Sequence, residues 1–332
     1  DKEVILSIVY LLLGLALILI GANCLTDGSS ALARKMGVSE LVIGLTVVAF
    51  GTSAPELTIS VISALEGSSE LAVGNVVGSN VFNILVIIGV VAMVRPITVN
   101  HGLMTNEIPL VVLSSVVLLV MANGPLLDGS AEAMVNRTDG IVLLLFFAIF
   151  MRYTFAQARK LPDGPPAPGS VPSRAGDVKE MRPLKAAAFV IGGLAALIFG
   201  GDRFVAGASD IAKAFGVSDA VIGLTIVACG TSLPELATSV TAALKGKPGI
   251  ALGNVIGSNI FNIFLVLGCS AAIRPLPLGD IGNLDLLVLT GASLMFWLMG
   301  RIIGRHVITR AEGALMTGCY VAYVVWLVLE SV

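Results

Sequence analysis

Two glutamates, Glu56 and Glu235, lie inside long apolar stretches of the sequence, and each directly follows a proline. The segments that contain them read GTSAPE and GTSLPE, so one polar cluster occurs twice in the chain. A carboxylate at the middle of a membrane is costly unless it is paired or solvated, and such residues usually serve a function. The pair predicts a site for a divalent cation or for several cations, with a protonated, hydrogen-bonded glutamate as the alternative.

Hydroxyl and carbonyl oxygens accompany each glutamate. A threonine and a serine lie four and three residues before it, and this spacing can place them on its helical face. Proline removes one backbone N–H and pushes away the carbonyl four residues earlier, so we expect released carbonyls near Ala49 to Thr52 and near Ala228 to Thr231. Broken helices at this depth are tolerated only around a cavity; two simple packing kinks are the alternative. The hydroxyls belong to Thr52, Ser53, Thr231 and Ser232.

The next apolar stretch of each half carries a polar stripe in which every fourth residue is polar. Such groups need partners in hydrocarbon. The stripes consist of Asn75, Ser79 and Asn83, and of Asn254, Ser258 and Asn262. Two further asparagines, Asn80 and Asn259, point elsewhere and are expected to form interhelical hydrogen bonds. The neighbouring glycines have a spacing that favours close helix packing; they are Gly74, Gly78, Gly253 and Gly257.

All these candidate ligands are oxygen atoms. Carboxylates, hydroxyls, amides and carbonyls suit a hard cation such as Ca²⁺ or Na⁺, whereas Zn²⁺ or Cu²⁺ would call for histidine or cysteine. Two negative charges neutralise one Ca²⁺ and are slightly overfilled by three Na⁺. We therefore expect Ca²⁺ and Na⁺ to compete for the shared carboxylates, which would couple their movements.

The composition excludes several classes of protein. Of 332 residues, 56% are hydrophobic and 13% are charged, against about 25% charged residues in an ordinary soluble domain. A soluble enzyme is therefore excluded. The net charge of -2 with 20 Lys and Arg residues offers no basic surface for nucleic acid. The four cysteines are widely spaced, which favours apolar packing over disulfides or a zinc site; they are Cys24, Cys229, Cys269 and Cys319.

Apolar stretches long enough to cross a bilayer recur ten times, since a crossing needs about 20 residues. The predicted spans are 4–24, 41–65, 70–94, 105–122, 138–156, 184–206, 219–244, 249–273, 283–300 and 312–330. Most Lys and Arg residues fall on one side, so the positive-inside rule predicts that both termini face out. A Pro-, Gly- and Ser-rich segment over 157–183 predicts a disordered cytoplasmic linker.

The chain contains an internal repeat at an offset of 179 residues. VIGLTVVAFGTSAPEL (42–57) returns as VIGLTIVACGTSLPEL (221–236), and GNVVGSNVFNI (74–84) returns as GNVIGSNIFNI (253–263). Five spans per copy is an odd number, so the copies cross the membrane in opposite directions, as in many secondary transporters. We predict an all-α polytopic membrane protein with ten transmembrane helices as two inverted five-helix repeats, over 1–156 and 184–332.

The doubled GTSxPE and GNxxGSN motifs resemble the alpha-repeats of the sodium/calcium exchanger family in the cation/Ca²⁺ exchanger superfamily, especially its prokaryotic members, over essentially the whole chain. The resemblance implies that Glu56 and Glu235 are central Ca²⁺ ligands shared with Na⁺. It implies exchange of about three Na⁺ for one Ca²⁺, with the first and sixth spans sliding against the rest. Further oxygen ligands are then expected from Thr52, Ser53, Thr231, Ser232, the carbonyls of Ala49 and Ala228, and Ser79, Asn83, Ser258 and Asn262.

Two departures narrow the branch of the superfamily. Potassium-dependent relatives carry Asp at the position of Asn262, so this asparagine argues against coupling to K⁺. Proton-coupled relatives have an acid where this chain has Gly78 and Gly257, so a proton route is not favoured. A monomer in the cell (inner) membrane is expected, with no cofactor other than the transported ions and no nucleic-acid partner.

Three other functions stay open. Ca²⁺ exchange linked to H⁺ or K⁺ would use the same carboxylates. A cation channel would use the same ligands but would normally arrange them around an oligomer axis. An intramembrane hydrolase with two catalytic carboxylates is the enzyme alternative; the sequence contains neither an HExxH motif nor a nucleophile and base pair.

Overall fold

A computed structural model describes residues 2–99, 101–127, 129, 132–158, 181–215, 228–303 and 306–330. It is helical apart from two short strand pairs in those ranges. Most of the expected linker over 157–183 lies outside the described residues. The two chain ends, residue 1 and residues 331–332, lie outside them as well.

The first repeat contains nine helices and two strands. Residues 44–48, 83–87 and 103–107 are π-helical turns that continue neighbouring helices. The elements are α1 (Lys2–Met36), α2 (Glu40–Ile43), α3 (Ala49–Thr52), α4 (Ala54–Glu66), α5 (Ser69–Phe82), α6 (Ile88–Val94), β1 (Ile97–Thr98), α7 (Ile108–Ala122), α8 (Gly124–Leu127), β2 (Met134–Val135) and α9 (Arg137–Ala158).

The second repeat follows the same order within its described residues. Residues 261–267 and 299–303 are π-helical turns. The elements are α10 (Pro183–Ala214), α11 (Ala228–Gly230), α12 (Leu233–Leu244), α13 (Pro248–Ile260), α14 (Gly268–Ile273), β3 (Leu276–Pro277), α15 (Asn283–Leu298), β4 (Val307–Ile308) and α16 (Arg310–Glu330).

Eight helices among the described residues are long and apolar enough to span a membrane. A ninth span consists of Glu40–Thr52 and Ala54–Glu66, which meet at a bend of 46°. The predicted seventh span over 219–244 is described only from residue 228 onward. The fold is thus the predicted polytopic helical one, with the polar GNxxGSN stretches in its most buried spans.

The first and sixth spans are longer than predicted. Hydropathy predicted 4–24 and 184–206, yet α1 extends to Met36 and α10 to Ala214. A hydropathy window stops where polar residues begin, but the helix continues because its polar end still packs on protein. Thr26, for example, is fully buried and donates its hydroxyl hydrogen to the carbonyl of Ala22 at 2.7 Å.

Helices α1 and α10 pack antiparallel along most of their length. A Cβ built on Gly14 would lie 2.7 Å from the carbonyl oxygen of Gly200, and one on Gly193 would lie 2.9 Å from that of Gly21. Only glycine permits such an approach between two backbones. Apolar side chains such as Leu12 and Ile20 are more than half exposed on the outer face of α1, where lipid would contact them. The two long helices therefore form one tightly packed pair.

Strand pairing displays the inverted symmetry of the repeats. Strand β1 pairs antiparallel with β4, and β2 pairs antiparallel with β3, so both pairs join one repeat to the other. Ile97 in β1 and Leu276 in β3 are themselves 179 positions apart. In each pair, one strand follows the third span of its repeat. The other strand precedes the fifth span of the other repeat. These strands were not predicted.

The four cysteines are free thiols. Cys24, Cys229 and Cys269 are partly buried, in keeping with their prediction as packing residues. Cys319, however, is exposed on α16, so that prediction is wrong for this residue.

Candidate cation site

Each glutamate lies in the first turn of a helix that begins after a break. Ser53 and Ser232 interrupt their spans with nearly the same backbone angles, φ −85° and ψ 8° for one and φ −90° and ψ 6° for the other. A proline occupies the first turn of the helix that follows, where its missing N–H costs nothing. Both Glu56 and Glu235 are fully buried, so the break places two carboxylates inside the protein.

The serines of the two breaks contact the glutamate of the opposite repeat. Ser53 Oγ donates to Glu235 Oε1 at 3.0 Å, and Ser232 Oγ donates to Glu56 Oε1 at 3.4 Å. The sequence predicted that each serine would share the helical face of its own glutamate, and this is wrong. The reason is the break itself, because the spacing rule for one helical face requires a continuous helix.

The Ala49 carbonyl is not released by the proline. It accepts the N–H of Ser53 at 3.0 Å and the hydroxyl of Thr52 at 3.4 Å. At Ala49 the expectation is wrong because Pro55 removes the N–H partner of the Gly51 carbonyl, four residues earlier, whereas Ser53 keeps its own N–H and bonds to Ala49. A carbonyl oxygen can accept more than one partner, so Ala49 stays a candidate ligand. Its counterpart Ala228 is the first described residue after 216–227.

In each repeat, one asparagine is hydrogen-bonded to the backbone carbonyl of the glutamate. Asn75 Nδ2 donates to the Glu56 carbonyl at 3.3 Å and to Ser60 Oγ at 2.9 Å. In the second repeat, Asn254 Nδ2 donates to the Glu235 carbonyl at 3.3 Å. These asparagines are therefore structural ties of the site rather than members of the predicted ligand set.

The serines that complete these ties were missed by the sequence analysis. Asn254 Nδ2 also donates to Ser239 Oγ at 3.0 Å, as Asn75 does to Ser60. Each serine lies four residues after its glutamate, and this repeated spacing was the available signal. Thr52 adds a link between the repeats, because its hydroxyl donates to Asn254 Oδ1 at 3.0 Å.

The four predicted ligands in the polar stripes are buried, and one of them contacts a carboxylate. Ser258 Oγ donates to Glu235 Oε1 at 3.3 Å. Ser79, Asn83 and Asn262 are at most 1% exposed. Of the additional asparagines, Asn80 makes the expected interhelical hydrogen bond. The side chain of Asn259 does not, because its Nδ2 donates to Val255 in its own helix at 2.7 Å.

Several buried oxygen atoms of the predicted ligands have no hydrogen-bond partner within the described part of the chain. A buried polar atom without a partner is costly, and in a native protein it calls for an explanation such as an ion. Bound cations would satisfy carboxylate, hydroxyl and amide oxygens together. The donor set thus fits a hard cation. The unpartnered oxygens of the predicted ligands are Glu56 Oε2, Glu235 Oε2, Ser79 Oγ, Asn83 Oδ1, Thr231 Oγ1 and Asn262 Oδ1.

A cavity of about 320 Å³ reaches the second break from one side. It lies between α4, α10 and the start of α12, with Thr231, Pro234 and Pro55 on its wall and Asp202 also lining it. Among the described residues, no three His, Cys, Asp or Glu side chains cluster, so the remaining ligands of a cation here would be neutral oxygens. The site therefore combines two carboxylates with neutral oxygens, and the cavity borders it at Thr231.

The packing glycines differ between the repeats. A Cβ on Gly257 would lie 2.6 Å from Ala49 Cβ, and one on Gly253 would lie 2.7 Å from the Leu41 carbonyl, as expected for close helix contact. Around Gly74 the nearest atom lies at 3.3 Å. At Gly78 no atom of the described residues lies within 4 Å, so close packing was the wrong reason for that glycine.

Comparison with known proteins places this site in a family. A family model described as sodium/calcium exchanger protein matches residues 6–156 and 185–329. The chain is 34% identical over 343 residues to the sodium/calcium exchanger MaX1 of Methanosarcina acetivorans, covering 96% of this chain and 97% of that protein. It is 36% identical to the inner membrane protein YrbG of Escherichia coli, with 98% and 97% covered.

A solved structure agrees with the sequence matches. The sodium/calcium exchanger from Methanococcus jannaschii aligns with a TM-score of 0.81 at 33% identity, over 97% of this chain and 98% of that chain. A likeness at this identity over nearly full length covers both repeats. The chain belongs to the sodium/calcium exchanger family.

Proposed function

We propose that this protein exchanges Na⁺ for Ca²⁺ across a membrane by alternating access. Family membership supports cation exchange as the class of activity. The relative MaX1 is named a sodium/calcium exchanger, and the Methanococcus jannaschii exchanger was studied in crystals soaked with Na⁺ and Ca²⁺. Transport by a protein without catalytic chemistry follows, and the ions are its substrates.

One observation carries the proposal. Each repeat holds one fully buried carboxylate, and a serine of the opposite repeat is hydrogen-bonded to each. Two negative charges match one Ca²⁺, while three Na⁺ exceed them by one charge. Exchange of about three Na⁺ for one Ca²⁺ would therefore move net charge and be electrogenic.

The ligand set of the proposal contains the twelve residues expected from the sequence. Glu56 and Glu235 hold Ca²⁺ and are shared with Na⁺. The flanking positions supply neutral oxygens, which suit Na⁺ in the sites that Ca²⁺ leaves. The other members are Thr52, Ser53, Thr231, Ser232, Ala49, Ala228, Ser79, Asn83, Ser258 and Asn262.

The moving part is the pair formed by α1 and α10, which packs as one unit through its glycines. Sliding of this pair would open the site to one side and close it from the other. The cavity at Thr231 supports access from one side. Near the opposite end of α1, Asp27 is paired with Lys245 at 2.9 Å and with Lys247 at 3.1 Å, which supports closure there.

Coupling to K⁺ or H⁺ is not part of the proposal. The position of Asn262 carries an amide rather than a carboxylate. Gly78 and Gly257 have no side-chain carboxylate that could carry a proton. The remaining assignments are a monomer in the cell (inner) membrane with both termini outside, and repeats over 1–156 and 184–332 with a cytoplasmic linker over 157–183. Charge distribution supports this orientation.

The test is Ca²⁺ uptake into proteoliposomes loaded with Na⁺, with external Na⁺, K⁺ and pH varied separately and the membrane potential clamped. We expect uptake that requires only the outward Na⁺ gradient and that changes with the clamped potential. Uptake that requires K⁺ or follows pH would show that Ca²⁺ transport is coupled to K⁺ or to H⁺ instead of to Na⁺ alone. Currents that persist without any counter-ion would indicate a channel instead.

A further inference from the structure

Asn80 is a fully buried asparagine beside the site that is not in the ligand set. Its Nδ2 donates to the backbone carbonyl of Asn259 at 3.3 Å, across the interface between the repeats. Its Oδ1 accepts a hydrogen bond from Asn262 Nδ2 at 3.2 Å. Asn80 therefore joins a rigid backbone acceptor to the side chain of a proposed ligand.

The direction of this chain of hydrogen bonds is fixed at the backbone end. A carbonyl can only accept, so the amide of Asn80 must turn its NH₂ group toward Asn259 and its oxygen toward Asn262. Asn262 must then donate its own NH₂ group to the Asn80 oxygen. Its oxygen is left on the other side, buried and without a partner. A flip of either amide would oppose two oxygens or two NH₂ groups.

We propose that Asn80 is a positioning residue that holds Asn262 Oδ1 toward the transported cations. The inference rests on the proposed function, since it concerns the same site. An asparagine amide can present either a donor or an acceptor, and only the acceptor attracts a cation. The hydrogen bond from Asn262 to Asn80 fixes the orientation of the Asn262 amide before the ion binds. This lowers the entropic cost of ordering the ligand on binding.

The two equivalent hydrogen bonds are not formed among the described residues when the roles of the repeats are exchanged. By the repeat, Asn259 corresponds to Asn80 and Asn83 corresponds to Asn262. Asn259 Nδ2 instead donates to Val255 at 2.7 Å, and both amide atoms of Asn83 have no hydrogen-bond partner among the described residues. Two halves with the same residues thus differ in conformation, as inverted repeats must in a state open to one side only.

Inversion predicts the arrangement in the opposite state. Asn259 would there turn to the backbone carbonyl of Asn80 and hold Asn83, while Asn80 would turn to Val76, four residues earlier in its own helix. The two asparagines thus alternate, and each orients a ligand amide in one state of the cycle. The effect of removing either one is then confined mainly to one face of the membrane.

The first experiment measures binding of Ca²⁺ and of Na⁺ to purified protein by calorimetry, together with K0.5 and maximal rate of exchange. Loss of the hydrogen bond in Asn80→Ala should weaken apparent affinity for at least one ion about five- to tenfold and leave the maximal rate within about twofold. Unchanged affinity with a reduced rate overturns the proposal. If Asn80→Ala does not yield monodisperse protein, Asn80→Leu, of similar volume, serves instead.

A double-mutant cycle separates positioning from a structural role. A carboxylate at position 262 presents an oxygen in both directions, so its orientation no longer matters. In the Asn262→Asp background, Asn80→Ala should therefore change affinity by less than about twofold, in contrast to its effect on the wild type. An equal loss in both backgrounds overturns the proposal. The cycle uses binding data, whereas the proposed function fails only if the wild type lacks Na⁺-driven Ca²⁺ uptake.

Sidedness tests the alternation. In vesicles of uniform orientation, Asn80→Ala should raise K0.5 on one face and Asn259→Ala on the other. Asn123→Ala is the matched control, because its amide also donates to a carbonyl of its own helix, that of Leu119 at 2.8 Å, and it should change neither. Equal shifts on both faces for both site variants overturn the alternation.

Discussion

Ser53 of the first repeat donates its hydroxyl hydrogen to Oε1 of Glu235 in the second repeat, 3.0 Å away. The inverted contact joins Ser232 to Glu56 at 3.4 Å. Each carboxylate is thus oriented by the half of the chain that does not contain it. The relationship makes the site a property of the interface between the repeats, and the following predictions test that view.

Neutralising either central carboxylate should stop exchange. Glu56→Gln and Glu235→Gln keep the shape of the side chain but remove one of two charges from a buried ion site, which costs about 3–5 kcal/mol, or more than about a hundredfold in ion affinity. Na⁺-driven Ca²⁺ flux in proteoliposomes is the measurement. Glu107→Gln is the control, since Glu107 is also a buried glutamate within a span but is bonded to Tyr153. Flux at the wild-type rate in either site variant would refute the assignment.

The serines should contribute to Ca²⁺ affinity from across the interface. A hydrogen bond to a charged group contributes about 1.5–3 kcal/mol, so Ser53→Ala and Ser232→Ala should each weaken Ca²⁺ binding roughly tenfold or more. Ser270→Ala is a matched control because its buried hydroxyl donates to Val266 in its own helix at 2.9 Å. Calorimetry on purified protein decides; equal affinities for all three variants would contradict a role of the cross-repeat contacts.

The backbone tie at each glutamate should support stability. Asn254→Ala removes the hydrogen bonds to the Glu235 carbonyl and to Ser239 Oγ, and a hydrogen bond contributes about 0.5–1.5 kcal/mol. We expect a lower thermal unfolding midpoint of the purified protein without Ca²⁺, and saturating Ca²⁺ should raise the midpoints of variant and wild type alike, since ligand binding favours the folded state. The first-repeat counterpart Asn75→Ala should behave alike. An unchanged midpoint for both would show that the ties are dispensable.

Close packing of α1 on α10 should not tolerate a methyl group. A Cβ on Gly200 would lie 2.9 Å from the carbonyl oxygen of Gly14, so Gly200→Ala should destabilise the protein by about 1–3 kcal/mol and slow exchange. Gly192→Ala, on the same helix, adds its methyl where no atom of the described residues lies within 4 Å. Thermal unfolding and exchange rate should separate the two variants. Similar behaviour of both would argue against the pair as a unit.

Asp27 should limit opening at its end of α1. Its pairs with Lys245 and Lys247 are partly exposed, and such pairs contribute at most about 1 kcal/mol each. Asp27→Asn should increase amide hydrogen exchange around residue 27 severalfold, as measured by mass spectrometry. Glu66→Gln, an equal change of charge at the end of another helix, is the control. Unaltered exchange in Asp27→Asn would mean that the ion pairs do not hold the helix.

The sequence predicted those features that local chemistry or the repeat determines. Proline and glycine predicted the breaks, and the breaks occur at Ser53 and Ser232 as equivalent turns. The duplicated motif predicted two buried carboxylates in inverted copies. It could not predict the partner of each serine, because a break changes the direction of the chain and the contact depends on the opposite repeat.

Other errors have different origins. The Ala49 carbonyl was predicted to be free, whereas the N–H of Ser53 occupies it in a regular helical bond that Pro55 does not remove. The two-residue strands β1 to β4 are too short to leave a pattern in the sequence. The difference between Asn80 and Asn259 has no signal in the sequence at all, since the two positions are identical in type and repeat context and differ only in conformation.

The crossed serine contacts also bear on inheritance. A substitution in one copy of the motif alters the surroundings of the carboxylate in the other copy, so the two duplicated segments are not free to diverge independently. A gene that encoded a single copy would yield a usable site only if two polypeptides inserted in opposite orientations and met. Fusion of the copies in one chain removes that requirement. Each half then still supplies the serine that is hydrogen-bonded to the carboxylate of the other half.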